Sequence, residues 1–189
     1  MIDYKKYRWF LTSAKTLVVG GKNAKQNDSL LKEIIAAGGN YYVMHTSAPG
    51  SPFSVIMREP EKVTKEEISE CAIVTACFSQ AWKMRKRTAR VDIFRASQLS
   101  KNPNMKDGMW RVAGQVKHAI VLLELALVKQ SGTLRAVSPK AAKNVLMHVV
   151  PGTIDKTDMA AKFGVELGDA FSHDEIIAAL PAGGVRKKR

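Results

Sequence analysis

Hydrophobic residues in the first sixty positions alternate between strand-like and helix-like spacing. Residues 7–12 and 15–19 are aromatic or β-branched runs separated by a short break, which predicts a β-hairpin. Apolar residues within 30–35 recur at helical spacing, and a Gly-Gly pair then ends the predicted helix. Two further strands are predicted at 41–46 and 53–58, on either side of a Pro-Gly turn.

The middle of the chain predicts a second helix followed by several strands. A capping box opens the helix, and small apolar residues continue it, so one helix is predicted over 64–88. Residues 91–95 alternate in polarity like a strand. Three successive antiparallel strands are then predicted at 109–115, 118–128 and 133–137. The predicted fold class is α+β, with a mixed, mainly antiparallel sheet and two main helices.

The pattern changes beyond residue 138. Two small helical patterns follow, the second opened by a capping box at 172–175, and the chain ends in a basic tail at 185–189. We therefore expect residues 1–138 to form one domain and residues 139–189 to form a C-terminal extension of small helices and a basic tail.

Composition places the chain among globular proteins. It has 189 residues, of which 46% are hydrophobic and 25% charged. The longest apolar run, at 119–128, is too short to span a membrane, and the N-terminus has no apolar signal-peptide segment. Cys71 and Cys77 fall on different faces of the predicted helix, so no disulfide is expected between them. The predicted location is the cytoplasm, with no membrane partner.

The charge of the chain is strongly positive. Lys and Arg total 30 against 17 Asp and Glu, which gives a net charge of +13 and a pI of about 9.9. Such an excess favours association with polyanions, and nucleic acid is the first to consider. The charge alone does not choose between RNA and DNA.

The first candidate binding segment follows the second predicted strand. Gly20-Gly21 opens a helix whose first turn carries cationic and amide side chains, a pattern suited to holding phosphates at a helix N-terminus. The candidate residues are Lys22, Asn23, Lys25, Gln26 and Asn27. The spacing matches neither a Walker motif nor a dinucleotide-binding fingerprint.

The second candidate segment is the loop that follows the third predicted strand, where His45 and Ser51 flank Pro49-Gly50. If His45 acts on a ligand, the loop favours stacking on a nucleotide or hydrogen bonding to it. The histidines and cysteines lack the spacing of a zinc site, and no nucleophile–base pair is evident in the sequence. No catalytic residue, metal or cofactor is therefore predicted.

The third candidate segment is a basic cluster at the end of the long predicted helix. Helical spacing would place its charges on one side, where an anion would relieve their repulsion. The cluster comprises Lys83, Arg85, Lys86, Arg87 and Arg90. A further candidate, Lys101, follows a strand in the polar segment 97–101, a setting typical of phosphate contacts.

Five motifs between residues 7 and 115 resemble the NFACT-R domain, the RNA-binding module of the RqcH/NEMF ribosome-quality-control proteins. They occur in the family's order, as Arg8-Trp9-Phe10, the run from Gly21 to Asn27, His45-Thr46 with Pro49-Gly50-Ser51, Ser79 in an Ala-rich helix, and Ser100-Lys101 before Gly108. Many members carry a second histidine where this chain has Pro52. The resemblance implies binding to RNA, with structured tRNA or rRNA the expected partner.

Three functions are compatible with these patterns. The first is a non-catalytic RNA-binding protein acting in translation or ribosome quality control, with the candidate residues on one basic face. The second is an RNA-processing or RNA-modifying enzyme, or its targeting subunit, that uses His45 as an acid or base. The third is an adaptor that docks on the ribosome or another protein through the less basic segment 155–180.

Overall fold

A computed structural model describes residues 2–168 and 170–188 of the chain. Within those residues the helices are α1 Ala24–Ala36, α2 Lys65–Cys77, α3 Gln80–Lys83, α4 Lys156–Leu167 and α5 His173–Ala179. The strands are β1 Arg8–Leu11, β2 Leu17–Gly20, β3 Tyr42–Thr46, β4 Ser54–Ile56, β5 Thr88–Arg95, β6 Leu99–Ser100, β7 Arg111–Val112, β8 Lys117–Leu122, β9 Leu125–Gln130, β10 Thr133–Val137, β11 Met147–Asp155 and β12 Gly184–Lys187. The predicted α+β class is confirmed. None of the described helices is both long and apolar enough to cross a membrane.

A six-stranded antiparallel sheet, in the order β1-β2-β4-β3-β5-β8, forms the centre of the fold. The predicted hairpin at its edge is present, with Trp9 opposite Val19. Because side chains alternate along each strand, the sheet buries apolar residues on both faces. One face packs on α1 through Val19, Val43, Val55, Phe94, Leu30, Leu31 and Ile34. The other face contributes Val18, Met44, Ile56 and Ile93 to the larger core.

Helix α2 lies in that larger core, between the central sheet and a second sheet. Its predicted capping box is confirmed, with Thr64 accepting from the Glu67 amide at 3.2 Å. The buried side chains of α2 are mostly small, which lets it lie close to both sheets. Cys71 and Cys77 are free and fully buried, as expected in the absence of a disulfide. Burial raises the pKa of Cys71 to about 12, so this thiol is unreactive at neutral pH.

The second sheet has the order β10-β9-β11-β12 and joins strands from both sides of residue 138. Gln130, at the end of β9, links it to the central sheet through its side-chain amide, which bonds both the N–H and the carbonyl of Leu11 at 2.9 Å. Strand β12 of the second sheet is held by Trp82, whose Nε1 donates to the Gly184 carbonyl at 2.9 Å. The division into domains 1–138 and 139–189 stays a prediction.

Two predicted elements are divided in the structure. The helix predicted over 64–88 stops at Cys77, because Ser79 caps the separate short helix α3 and accepts from the Ala81 amide at 3.1 Å. The strand predicted over 118–128 is interrupted at residues 123–124, where the chain passes from the central sheet to the second sheet. Glu124 interrupts the apolar run at this point, but one polar residue does not by itself reveal a change of sheet.

Two further predictions need correction in extent. Of the strand predicted over 109–115, only β7 is extended and paired, and it bonds to β6 in a two-stranded ribbon. The basic tail predicted at 185–189 is largely strand β12, paired with β11. Arg189 lies outside the described residues.

Candidate nucleic-acid interface

Several loops meet at one end of the central sheet and surround a cavity of about 400 Å³. Strands β2 and β3 are both antiparallel to β4, so their carboxyl ends lie together. The loops that follow them meet the α2–α3 connection and the loop around Gly108. The predicted site residues that line the cavity are Lys22, Asn23, Asn27, His45, Ser51 and Lys83.

Four polar residues in the wall, Arg8, Ser79, Gln80 and Asp107, are not among the site residues predicted from the sequence. Arg8 and Ser79 were named only as parts of the family motifs. Gln80 could not be selected from the sequence, because the helix break before α3 determines its position. Arg8 joins Lys22 and Lys83 as a cation, and Asp107 is the acidic lining residue. The described wall is therefore predominantly cationic.

The turn into α1 is built by its own side chains. Asn23 Oδ1 accepts from the Gln26 amide at 2.9 Å and so caps the helix. Gln26 Oε1 accepts from the Lys22 amide at 3.0 Å and its Nε2 donates to the Lys6 carbonyl at 3.3 Å. The amides of Ala24 and Lys25 belong to the first turn, where no helix carbonyl can accept them. The positive end of the helix dipole thus faces the cavity.

Asn27 and Ser51 hold the two loops together. Asn27 is buried, with its Oδ1 accepting from the Phe53 amide at 3.1 Å and its Nδ2 donating to the Ser51 carbonyl at 3.4 Å. A Cβ at Gly21 would overlap the Asn27 side chain, so glycine is required for this close approach. Ser51 is also buried and accepts from the Thr46 amide at 2.9 Å. These contacts position the cavity wall.

A group of cations lies beside the cavity on aromatic supports. The Arg8 guanidinium is 3.8 Å from the ring centroid of Phe78, and that of Arg135 is 4.0 Å from the ring centroid of Trp9. Burial lowers the pKa of Arg8 to about 10, and it also lowers the pKa of Arg135, against an opposing effect of Glu175. Arg8 remains charged at neutral pH because its pKa is still well above 7.

Lys22 lies close enough to Arg8 and Arg135 for their charges to affect its pKa. Burial is the largest effect that lowers the pKa of Lys22, followed by the charges of Arg8 and Arg135. In the described part of the chain, none of these three cations forms an ion pair with a carboxylate. Three neighbouring cations without an ion-pair partner among the described residues favour an anionic ligand.

His45 is packed in the wall rather than free in the loop. Its ring lies 4.5 Å from that of Phe53 between centroids, and its Nδ1 is 2.6 Å from the Thr46 carbonyl oxygen. A carbonyl can only accept, so Nδ1 carries the proton and Nε2 of the neutral ring is an acceptor. Burial lowers the pKa of His45, which keeps the ring neutral at pH 7.

The basic cluster does not form the predicted helical face. Lys83 ends α3, the next residues form a turn in which Arg85 has a φ of 54°, and Arg90 lies on β5. Lys83 therefore lines the cavity, while Lys86 and Arg90 line a recess beside the loop 46–49. The physical reason is that α3 ends at Lys83 and Arg85 takes a left-handed conformation, so the rest of the cluster lies outside the helix.

Lys101 has a partner within the protein. Its Nζ lies 2.8 Å from Asp28 Oδ2 and also donates to the carbonyls of Lys106 and Met109, and its side chain is 11% exposed. Burial raises the pKa of Asp28, but hydrogen bonds from Lys101, Trp110 and the Gly108 amide outweigh it, so the pKa is lowered overall. Lys101 thus orders the loop that forms one side of the cavity.

No cluster of three or more His, Cys, Asp and Glu side chains that could hold a metal ion occurs in residues 2–168 and 170–188. The arrangement instead combines cations, amides and a helix N-terminus around one cavity, which is the chemistry of an anion-binding module. Such groups recur at protein contacts with phosphate and sugar.

The comparisons identify the family of this module. The family model for the NFACT protein RNA binding domain matches residues 6–114, and the chain belongs to this family. It is 24% identical over 194 residues to the archaeal Rqc2 homolog aRqcH of Methanocaldococcus jannaschii, covering 96% of this chain and 28% of that protein. The ribosome quality control complex subunit NEMF of Homo sapiens is 27% identical over 88 residues, which cover 46% of this chain and 8% of NEMF. The chain thus spans less than a third of the curated relatives it matches.

A solved structure with the same fold supports the assignment. The C-terminal part of the fibronectin/fibrinogen-binding protein from Streptococcus suis is 27% identical, with a TM-score of 0.54. The match covers 61% of this chain and 44% of that structure.

Proposed function

We propose that this chain is a non-catalytic RNA-binding protein that contacts structured tRNA or rRNA in translation or ribosome-associated quality control. The observation that carries the proposal is the unpaired cationic group of Arg8 and Lys22 beside Lys83, at a cavity whose wall also carries amide and imidazole groups. Membership of an RNA-binding family and the two quality-control relatives support it.

The cavity residues divide into two roles under this proposal. Arg8, Lys22 and Lys83 neutralise phosphates and supply most of the affinity. Asn23, already used as a helix cap, presents the free amides of the first turn, and His45 offers an acceptor nitrogen and a ring face to a base or ribose. RNA rather than DNA is favoured by the family, and the neutral His45 acceptor can take a hydrogen bond from a ribose 2′-hydroxyl.

The enzyme hypothesis receives less support from the geometry of His45. The hydrogen bond made by its Nδ1 goes to the neutral carbonyl of Thr46, which stabilises an imidazolium less than a hydrogen-bonded carboxylate would. Its lowered pKa leaves it without a proton to donate from Nε2 at pH 7.

The test combines binding with analysis of the RNA. Fluorescence anisotropy with labelled tRNA and with a labelled rRNA hairpin is expected to show saturable binding that Lys22→Ala weakens, while gels show the RNA unchanged after incubation. RNA cleaved or modified by the wild type but not by His45→Ala would overturn the non-catalytic assignment. Heparin is a polyanion without RNA structure. If heparin competed for the protein as well as the structured RNAs do, the preference for structured RNA would be overturned.

A further inference from the structure

A second cationic groove lies on the turn between α3 and β5. It has a volume of about 440 Å³ and is lined on its charged side by Arg85, Lys86, Arg87 and Arg186. The first three precede β5, and Arg186 lies on β12, far outside the stretch 6–114 that matches the family model. The C-terminal strand therefore supplies part of the cationic wall of this groove.

Strand β12 is fixed in that position by a tryptophan. The buried Trp82 donates from Nε1 to the Gly184 carbonyl at 2.9 Å, and Gly183 packs against the backbone and side chain of Lys83. Ala182 and Lys83 both line the first cavity, whereas Arg186 lines the groove together with the turn 85–87. The segments 182–186 and 83–87 therefore both reach from the cavity to the groove.

The groove carries positive charge that the described residues do not neutralise by ion pairs. Its acidic residue, Glu124, already bonds Lys188 at 2.6 Å and lies 3.3 Å from His148. Lys188 also lines the groove and is the cation paired with Glu124. Among the described residues, Arg85, Lys86, Arg87 and Arg186 form no ion pair, and these four are exposed. Arg85 is moreover held at a φ of 54°, an uncommon conformation for a residue other than glycine.

We propose that this groove binds the phosphate backbone of the RNA whose adjoining nucleotides occupy the first cavity, which makes β12 part of the RNA interface. The inference rests on the proposed function. The arginines can donate bidentate hydrogen bonds to phosphate oxygens, and the two segments that reach from the cavity to the groove provide a path for one strand. Backbone contacts of this kind set the register of the RNA without reading its sequence.

Two neighbouring residues of β12 provide a matched test. Arg186 lines the groove, while Lys187 forms an ion pair with Glu166 elsewhere on the surface. The variants Arg186→Ala and Lys187→Ala remove the same charge from the same exposed strand, so they change the overall field of the protein equally. A difference between them reports on the groove itself.

The measurement is RNA affinity as a function of salt, with one RNA of about four nucleotides and one of about sixteen. With the longer RNA, Arg186→Ala is expected to reduce the magnitude of the negative slope of log K against log salt by about one. Each neutralised phosphate releases about 0.7–0.9 counterions, so the loss of one phosphate contact corresponds to about four- to fivefold weaker binding in 0.15 M salt. Lys187→Ala is expected to match the wild type, and the short RNA should bind all three proteins equally.

Equal behaviour of Arg186→Ala and Lys187→Ala with the longer RNA would overturn the inference. Lys22→Ala keeps that result separate from the proposed function, because it removes a cation of the first cavity. If Lys22→Ala weakens both RNAs while Arg186→Ala weakens neither, RNA binding stands and the groove lies outside the interface. Thermal denaturation of each variant checks the fold. Arg186→Lys keeps the charge but not the bidentate geometry, so it is expected to restore the salt slope and only part of the lost affinity.

Discussion

Replacement of Arg8 by methionine is expected to stabilise the fold and weaken RNA binding at the same time. Arg8 is a half-buried cation that stacks on Phe78 and has no carboxylate partner among the described residues. Methionine retains the unbranched length over the ring and removes the charge. Replacing a residue that is retained for ligand binding rather than for stability should stabilise the fold and weaken binding.

The magnitude follows from the pKa of Arg8. Its decrease from 12.5 to about 10 on burial corresponds to about 3 kcal/mol against the charged form in the folded protein. The stacking contact with Phe78 offsets about 1–2 kcal/mol of this. We therefore expect Arg8→Met to raise the free energy of unfolding by about 1 kcal/mol. Because the pKa is lower in the fold than in the unfolded chain, the penalty is fully present below about pH 10 and the gain should be constant from pH 6 to 9.

Urea denaturation measures the stability change, and anisotropy titrations at several salt concentrations measure binding by the folded protein. Arg8→Met is expected to reduce the magnitude of the negative slope of log K against log salt by about one. Lys32→Met is the matched control, because it removes a charge from an exposed position on α1 outside the cavity. Loss of stability in Arg8→Met with unchanged affinity of the folded fraction would refute the reasoning and make Arg8 a structural residue.

The other predictions concern residues with different roles around the cavity. Because burial lowers the pKa of His45, the unfolded chain binds more protons below pH 6.5, so stability should fall as the pH drops and His45→Gln should flatten part of this dependence in urea titrations. The same variant should lose about 1 kcal/mol of RNA affinity, and an unchanged affinity would place His45 outside the interface. Asn27→Ala leaves the Phe53 amide without its partner and should cost about 1–3 kcal/mol of stability in urea, with the salt slope unchanged. Lys101→Met leaves the buried Asp28 unpaired and should cost about 3 kcal/mol; a salt slope reduced by one would instead place Lys101 on the RNA.

Local signals in the sequence were sufficient for much of the fold. The capping boxes at Thr64 and Ser172 specify helix starts through side chains three residues apart, and both form as predicted. The hairpin of β1 and β2 and the turn into α1 are likewise encoded by neighbouring residues. Such elements can be predicted because the contacts that define them are close in sequence.

Elements defined by distant contacts could not be predicted. The break after Cys77 places Trp82 in the core, where its Nε1 bonds Gly184 about a hundred residues later. The crossing between sheets at residues 123–124 depends on packing of the second sheet, which the apolar run from β8 to β9 does not indicate. Tertiary packing decided both features.

The candidate site shows the same division. Lys22 and His45 could be selected because each follows a strand in a polar turn, and both line the cavity. Lys101 satisfied the same criterion, but its charge is paired with Asp28. Arg8 was not selected as a site residue, because its environment depends on Phe78, seventy residues away.

The central claim is that the cationic cavity binds RNA through phosphate contacts. The most direct measurement is the salt dependence of affinity for a structured RNA, compared between the wild type and the double variant Lys22→Ala/Lys83→Ala. If about six to eight phosphates are neutralised, the wild-type slope of log K against log salt should be about −5 to −7. The double variant should reduce its magnitude by about two. A wild-type slope near zero, or an unchanged slope in the folded double variant, would contradict the claim.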